Sequence, residues 1–108
     1  MEAEDDMAQL LRDLKEGLQQ IYGSRLRGVY LYGSYARGEA DAESDVDILV
    51  VLDGFEHYGD EVERTGHLGA ALSLKHRASI SQVFMSEWDW LHGETPFLLN
   101  VREEAIPA

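Results

Sequence analysis

Apolar residues along the chain recur first with the period of a helix and then with the period of a strand. From Asp5 or Asp6 to Tyr22 they return every three or four positions, which predicts an amphipathic helix with one of those aspartates as its N-cap. The run Leu26–Tyr32 is short, apolar and aromatic, and it stops at Gly33. This pattern predicts a first strand that ends in a turn.

The second half of the chain continues the alternation of helices and strands. Val46–Leu52 is apolar at every position but one, so it is predicted as a central strand covered on both faces. The other predicted elements are a short helix from Ser34 to about Gly38, a helix over Asp60–His76, a strand over Ala78–Met85, a helix beginning at Glu87 and a last helix from Pro96 to about Glu104. This order predicts an α/β (α+β) fold, a small mixed β-sheet flanked by helices, in a single domain over residues 1–108.

The segment between the first two strands carries the clearest chemical signal. Gly33-Ser34 ends the first apolar run, and Asp45 and Asp47 open the second. Side chains of a strand alternate between its faces, so the two aspartates are predicted to share a face, with alpha carbons roughly 6.5 to 7 Å apart. Such carboxylates suit a divalent metal, and a Gly-Ser turn offers N–H groups to phosphate. Together they predict a site for phosphoryl or nucleotidyl transfer.

Gly33-Ser34, ten residues, and then Asp45-x-Asp47 resembles the signature of the DNA polymerase β-type nucleotidyltransferase superfamily. The flanking residues 35–40 resemble its smallest branch, the minimal nucleotidyltransferases (MNT). The resemblance implies a nucleotidyltransferase fold in which Asp45 and Asp47 are catalytic and bind two Mg²⁺ ions. It also implies that Gly33 and Ser34 bind the triphosphate of the nucleotide substrate, ATP.

Two positions around the signature leave alternatives open. Arg37 is a candidate for binding phosphate, and an ion pair with Glu39 or Asp41 is the other interpretation. Active members of the superfamily usually carry a third carboxylate on the neighbouring strand, but no Asp or Glu lies between residues 64 and 87 of this chain. Ser79 and Ser81 stand there instead, and Glu39, Asp41 or Glu43 from the loop are the candidate substitutes.

The resemblance also implies a partner. Members of this branch often act as antitoxins paired with a helical HEPN-type RNase toxin, and some transfer AMP from ATP to a tyrosine of that toxin. A hetero-oligomer is therefore expected. A catalytically impaired antitoxin that neutralises its toxin by binding is the alternative. A small-molecule nucleotidyltransferase is the third interpretation, although the chain is short for the extra substrate domain that such enzymes usually have.

The charge of the chain limits the kinds of partner that we expect it to bind. It has 9 Lys and Arg against 21 Asp and Glu, a net charge of −12, so no direct contact with nucleic acid is expected. There is no cysteine, and no apolar run approaches the roughly 20 residues of a membrane span, so we expect a cytoplasmic protein without membrane contact. Trp88 and Trp90, with Phe97 and Leu98, are predicted either to pack in the core or to form an exposed patch for a partner.

Overall fold

A computed structural model describes residues 3–108 of the chain, which form one mixed sheet with helices on both faces. The helices are α1 (Ala3–Tyr22), α2 (Ser34–Arg37), α3 (Tyr58–His76), α4 (Glu87–His92) and α5 (Pro96–Glu104), and a 3-10 turn covers Gly23–Arg25. The strands are β1 (Leu26–Tyr32), β2 (Val46–Leu52), β3 (Ile80–Ser86) and β4 (Ile106–Pro107). The predicted fold class, a small mixed sheet flanked by helices, is confirmed.

The sheet has the strand order β3-β2-β1-β4. β1 pairs antiparallel with β2 and with β4, and β3 pairs parallel with β2. In this register Tyr32, Asp47 and Ser81 lie side by side on three neighbouring strands. The end of β1, the start of β2 and the start of β3 therefore lie side by side at one end of the sheet.

α1 and α3 cover one face of the sheet with a continuous apolar core. The stripe Leu10, Leu14 and Leu18 of α1 is buried there, and Leu72 comes from α3. The residues of β2 that point to this side are Val46, Ile48, Val50 and Leu52. The amphipathic helix and a central β2 covered on both faces were both predicted from the pattern of apolar residues, and both are confirmed.

α4 and α5 cover the other face, which is smaller and less apolar. Leu49 and Val51 of β2 pack there with Val101 of α5. Trp90 is partly buried and its ring centroid lies 4.8 Å from that of Tyr30. Asp47 belongs to this same face, because it alternates with Leu49 and Val51 along β2.

The tryptophan region divides between the two interpretations left open by the sequence. Trp90 and Leu98 pack in the interior, and Leu98 is 3% exposed. Trp88 is 67% exposed and Phe97 is 41% exposed. The segment thus supplies both a piece of core and exposed aromatic surface.

Several predicted boundaries differ from the structure. α1 begins at Ala3, so Asp5 and Asp6 lie within the helix and neither is its N-cap. α3 begins at Tyr58 and β3 at Ile80, two residues away from the predicted starts. The short β4 was not predicted at all.

The predicted starts of the last two helices are confirmed in detail. The Ser86 hydroxyl accepts a hydrogen bond from the Asp89 N–H at 3.1 Å, and the Thr95 hydroxyl accepts one from the Leu98 N–H at 3.3 Å. Pro96 occupies the first turn of α5. None of the helices described over residues 3–108 is both long and apolar enough to cross a membrane.

Candidate active site

Gly33 forms the turn between β1 and α2. Its φ of 76° and ψ of −155° belong to a backbone region that is essentially restricted to glycine. A Cβ at this position would also collide with the carboxylate of Asp47. The glycine is therefore required twice, once by the backbone angle and once by the close approach of the aspartate. Its N–H donates a short hydrogen bond to the carboxylate of Glu104.

Asp45 and Asp47 lie at the start of β2, as predicted. Asp45 is exposed just before the strand, and Asp47 is half-buried within it. The backbone N–H of Val46 between them donates to the Ser79 carbonyl at 2.7 Å, which fixes the start of β2 against the segment before β3. Within residues 3–108, no lysine, arginine or histidine forms an ion pair with either aspartate.

The electrostatics of Asp47 reflect this arrangement. Partial burial raises the pKa of its carboxyl above the usual value, and the negative charge of Asp45 raises it further. Arg37 opposes the shift, and Glu104 adds to it. Two like-charged carboxylates in mutual range, neither of them in an ion pair within residues 3–108, have the chemistry of ligands for a hard divalent cation. The donor set at the start of β2 therefore fits a divalent metal.

Arg37 lies one turn after Gly33, at the end of α2. Its guanidinium pairs with Glu39 at 2.7 Å, which was one of the two interpretations left open by the sequence. It also pairs with Glu104 of α5 at 3.2 Å, which sequence reasoning missed. Both ion pairs are partly exposed, and the side chain of Arg37 is 46% exposed.

The position of the usual third carboxylate is occupied by a hydroxyl residue. Ser81 of β3 lies directly beside Asp47, so it is on the same face of the sheet. Asp41, a loop substitute considered from the sequence, instead accepts a hydrogen bond from the Glu43 N–H at 2.9 Å within its own loop. Over the described part of the chain, no three His, Asp or Glu side chains are grouped as a metal site.

Glu104 is the acid that reaches this region, and nothing in the local sequence marked it. Its carboxylate accepts a short hydrogen bond from the Gly33 N–H and pairs with Arg37. The contact joins residues that are 71 positions apart, so only the fold brings them together. Glu104 does not substitute for the missing acid on β3, because its direct partners are the groups predicted to bind phosphate.

An open cavity of about 500 Å³ lies beside this cluster. Gly33, Arg37 and Glu104 line one side of it, and the aromatic rings of Tyr32 and Phe97 line another. The two rings meet edge to face with their centroids 5.7 Å apart. The volume falls within the range of small-molecule sites, and the lining combines apolar surface with a few polar groups.

A domain model described as the nucleotidyltransferase domain matches residues 11–96 of the chain. The protein belongs to the nucleotidyltransferase domain family. The match spans most of the residues from α1 to the start of α5, so it covers the whole sheet except β4. The predicted family is thereby confirmed, and with it the assignment of the protein as a nucleotidyltransferase.

Two individual proteins of this nucleotidyltransferase family show which of its branches the chain is similar to. The chain is 37% identical over 71 residues to the protein adenylyltransferase MntA of Thermococcus cleftensis. The aligned residues make up 66% of this chain and 70% of that protein. A solved structure assigned to the minimal nucleotidyltransferases is 27% identical, has a TM-score of 0.67, and is covered over 97% of its length by the whole of this chain. The protein is therefore similar to the minimal branch named from the signature.

A toxin–antitoxin structure with AMP-PNP shares the fold of this nucleotidyltransferase. Its TM-score is 0.59 at 23% identity, over 98% of this chain and 72% of that one. This likeness shows a shared fold, and the toxin partner stays a prediction. The roles of Gly33, Ser34, Arg37, Asp45 and Asp47 stay predictions, which the geometry above makes specific.

Proposed function

We propose that this protein binds Mg²⁺–ATP at the end of the sheet where β2 begins and transfers AMP to a tyrosine hydroxyl of a partner HEPN-type RNase toxin. The observation that carries the proposal is the pair Asp45 and Asp47, which form no ion pair within residues 3–108, near Gly33 and the Arg37 guanidinium. This arrangement offers ligands for a metal on one side and donors for phosphate on the other. The similarity to an MntA protein adenylyltransferase supports the choice of reaction.

Each residue has a defined task in this proposal. Asp45 and Asp47 would hold Mg²⁺, with the remaining ligands supplied by phosphate oxygens and water, as is usual for this ion. Gly33 and Ser34 would donate hydrogen bonds to the triphosphate, and Arg37 would neutralise part of its charge. Bound Mg²⁺ supplies charge stabilisation for the phosphoryl oxygens and the departing pyrophosphate.

The transfer joins the acceptor oxygen to the α-phosphorus of ATP and releases pyrophosphate. The acceptor hydroxyl loses its proton to water, because β3 offers a serine beside Asp47 where a carboxylate base would stand. The acidic surface, with a net charge of −12, favours a basic protein partner. The proposal includes a cytoplasmic location, where ATP and such a toxin would be available, and a single domain over residues 1–108.

The direct test is to incubate the protein and its co-expressed partner with ATP labelled at the α-phosphate. We expect label on a partner tyrosine, located by mass spectrometry as an added AMP. The variant Asp45→Asn/Asp47→Asn should transfer none. A matched control is Asp53→Asn, an exposed acid at the opposite end of β2, which should transfer normally. Equal labelling by the double variant would refute the proposal.

A second function is favoured by one specific observation. Because Ser81 stands beside Asp47, the site lacks the carboxylate that would complete a three-acid centre on the neighbouring strand. A protein with this site can still bind a toxin and neutralise it by stoichiometric contact. The exposed Trp88 and Phe97 offer apolar surface for such a contact.

Toxin protection in cells distinguishes the two functions. If catalysis is required, cells expressing the toxin with Asp45→Asn/Asp47→Asn should stop growing, although the variant is folded and present. If contact is sufficient, the same variant should protect and should co-purify with the toxin in a stoichiometric complex. Replacing Trp88 with alanine should then abolish protection while leaving ATP binding intact.

A further inference from the structure

The two groups predicted to bind phosphate are already bound to an anion that the chain itself supplies. The Glu104 carboxylate accepts a hydrogen bond from the Gly33 N–H and pairs with the Arg37 guanidinium at 3.2 Å. Carboxylate and phosphate oxygens make the same kinds of contact with N–H donors and with guanidinium groups. One side chain therefore occupies the positions that two phosphate oxygens would need.

The pairing of β1 with β4 explains how Glu104 comes to lie near Gly33. In the antiparallel pairing of β1 with β4, Leu31 lies opposite Ile106. Gly33 follows Leu31 by two residues, and Glu104 precedes Ile106 by two residues. β4 therefore positions the end of α5 at the turn after β1, and the glutamate needs no unusual reach to arrive there.

α5 is also well fixed from its other side. Leu98 and Val101 are each 3% exposed and pack the helix onto the sheet, while Phe97 contacts the Tyr32 ring. The Glu104 side chain itself is only 21% exposed. Gly33 and Arg37 are thus held by one side chain of a helix that is itself packed against the sheet.

We propose that Glu104 is a built-in competitor of the triphosphate, so that a nucleotide binds only when this carboxylate leaves Gly33 and Arg37. The inference rests on the proposed function, because it assumes that these two groups bind phosphate. An intramolecular competitor acts at high effective concentration. It lowers the apparent affinity by the fraction of molecules in which the site is open. Glu104 would thereby keep the site closed to weakly bound anions.

The test compares the full chain with Glu104→Gln, which keeps the shape of the side chain and removes its charge. Binding of ATP and of inorganic tripolyphosphate, each without divalent metal, is measured by isothermal titration calorimetry. Because the lost contacts are partly exposed, we expect both affinities to rise by about threefold to tenfold. Glu94→Gln removes the same charge from an exposed position between α4 and α5 and should leave both affinities unchanged.

Each of the other results has a distinct meaning. Equal affinities for the original chain and Glu104→Gln would overturn the competitor role and leave the proposed function standing. Weaker binding of Glu104→Gln, seen only when Mg²⁺ is added, would overturn it by showing that Glu104 is a metal ligand. If neither protein binds ATP with Mg²⁺, although thermal unfolding shows both to be folded, the proposed function itself fails. A second variant, Glu104→Ala, should reproduce the tighter binding of tripolyphosphate.

Discussion

Two acidic side chains beside opposite ends of β2 have pKa values that are shifted in opposite directions. Glu61 of α3 lies near the turn that follows the strand and is 3% exposed, whereas Asp47 is the second residue of the strand and is only half-buried. Burial alone would raise both carboxyl pKa values. Yet the pKa of Glu61 is lowered and the pKa of Asp47 is raised.

The difference lies in the neighbours of each acid. Burial raises the pKa of Glu61, but the Tyr22 hydroxyl donates to it at 2.7 Å and Arg64 pairs with it at 3.1 Å, and together they outweigh burial. Asp47 instead faces the charges of Asp45 and Glu104, and Arg37 offsets them only in part. One acid is satisfied within the fold, and the other is left for a ligand.

The two acids therefore act on stability in opposite ways. The lowered pKa of Glu61 contributes stability above its ordinary value of 4.5, and that contribution is lost as the pH falls through the folded-state pKa. The raised pKa of Asp47 means that this carboxyl binds a proton more tightly in the metal-free folded state than in the unfolded state. The stability of the metal-free protein therefore falls as the pH rises from 3.8 through the folded-state pKa of Asp47.

The largest effect is expected where the backbone itself serves Asp47. Gly33→Ala places a methyl group against the Asp47 carboxylate and forces an unfavourable φ of 76°, so we expect a loss of about 3 kcal/mol in unfolding free energy. Gly38 has a similar φ of 74° but open space around its Cβ position, so Gly38→Ala should cost only about 1 kcal/mol. Urea unfolding of both variants measures the difference, and equal losses would show that the close contact with Asp47 is unimportant.

The next effect comes from removing the partner that stabilises Glu61. Tyr22→Phe deletes the hydroxyl that donates to this buried carboxylate, and a lost hydrogen bond to a charged group costs about 1.5 to 3 kcal/mol. Tyr35→Phe removes a hydroxyl that makes no hydrogen bond within the described chain and should change stability little. The loss in Tyr22→Phe should shrink toward acidic pH, where Glu61 becomes protonated. A loss that stays the same when the pH falls well below 4.5, the ordinary pKa of a glutamate, would contradict the electrostatic explanation.

A change of opposite sign is expected at Asp47. Asp47→Asn removes a partly buried charge that lies near two like charges, so the metal-free protein should gain up to about 1 kcal/mol, a figure kept small because solvent screens the site. The gain should be largest at neutral pH and should vanish as the pH is lowered through the raised pKa. The same variant should lose all Mg²⁺-dependent stabilisation by ATP. Thermal unfolding with and without Mg²⁺–ATP measures both, and destabilisation of the metal-free variant would refute the unpaired state of Asp47.

The local sequence was sufficient for the features that depend on near neighbours. The period of the apolar residues located α1, β1 and β2, and the spacing from Gly33 to Asp45 identified the family. Glu104 and β4 were out of reach because both depend on pairing between residues about 70 positions apart. No periodic signal marks a two-residue strand or a single acid in a helix that contains two. The sequence also left Trp88 and Trp90 together, while packing against Tyr30 buries only the second.

The smallest expected effect would arise from returning a third acid to the site. Ser81→Asp places a carboxylate directly beside Asp47, and like charges on neighbouring strands destabilise by about 0.2 to 1 kcal/mol. The metal-free variant should therefore unfold at a slightly lower temperature. With Mg²⁺ the loss should disappear or reverse, because the added carboxylate provides a further hard ligand. Ser24→Asp adds the same charge at an exposed position after α1 and should show no dependence on Mg²⁺. If Mg²⁺ stabilises both variants equally, the carboxylates at the start of β2 do not form a metal site, and the contrast between Glu61 and Asp47 has no functional meaning.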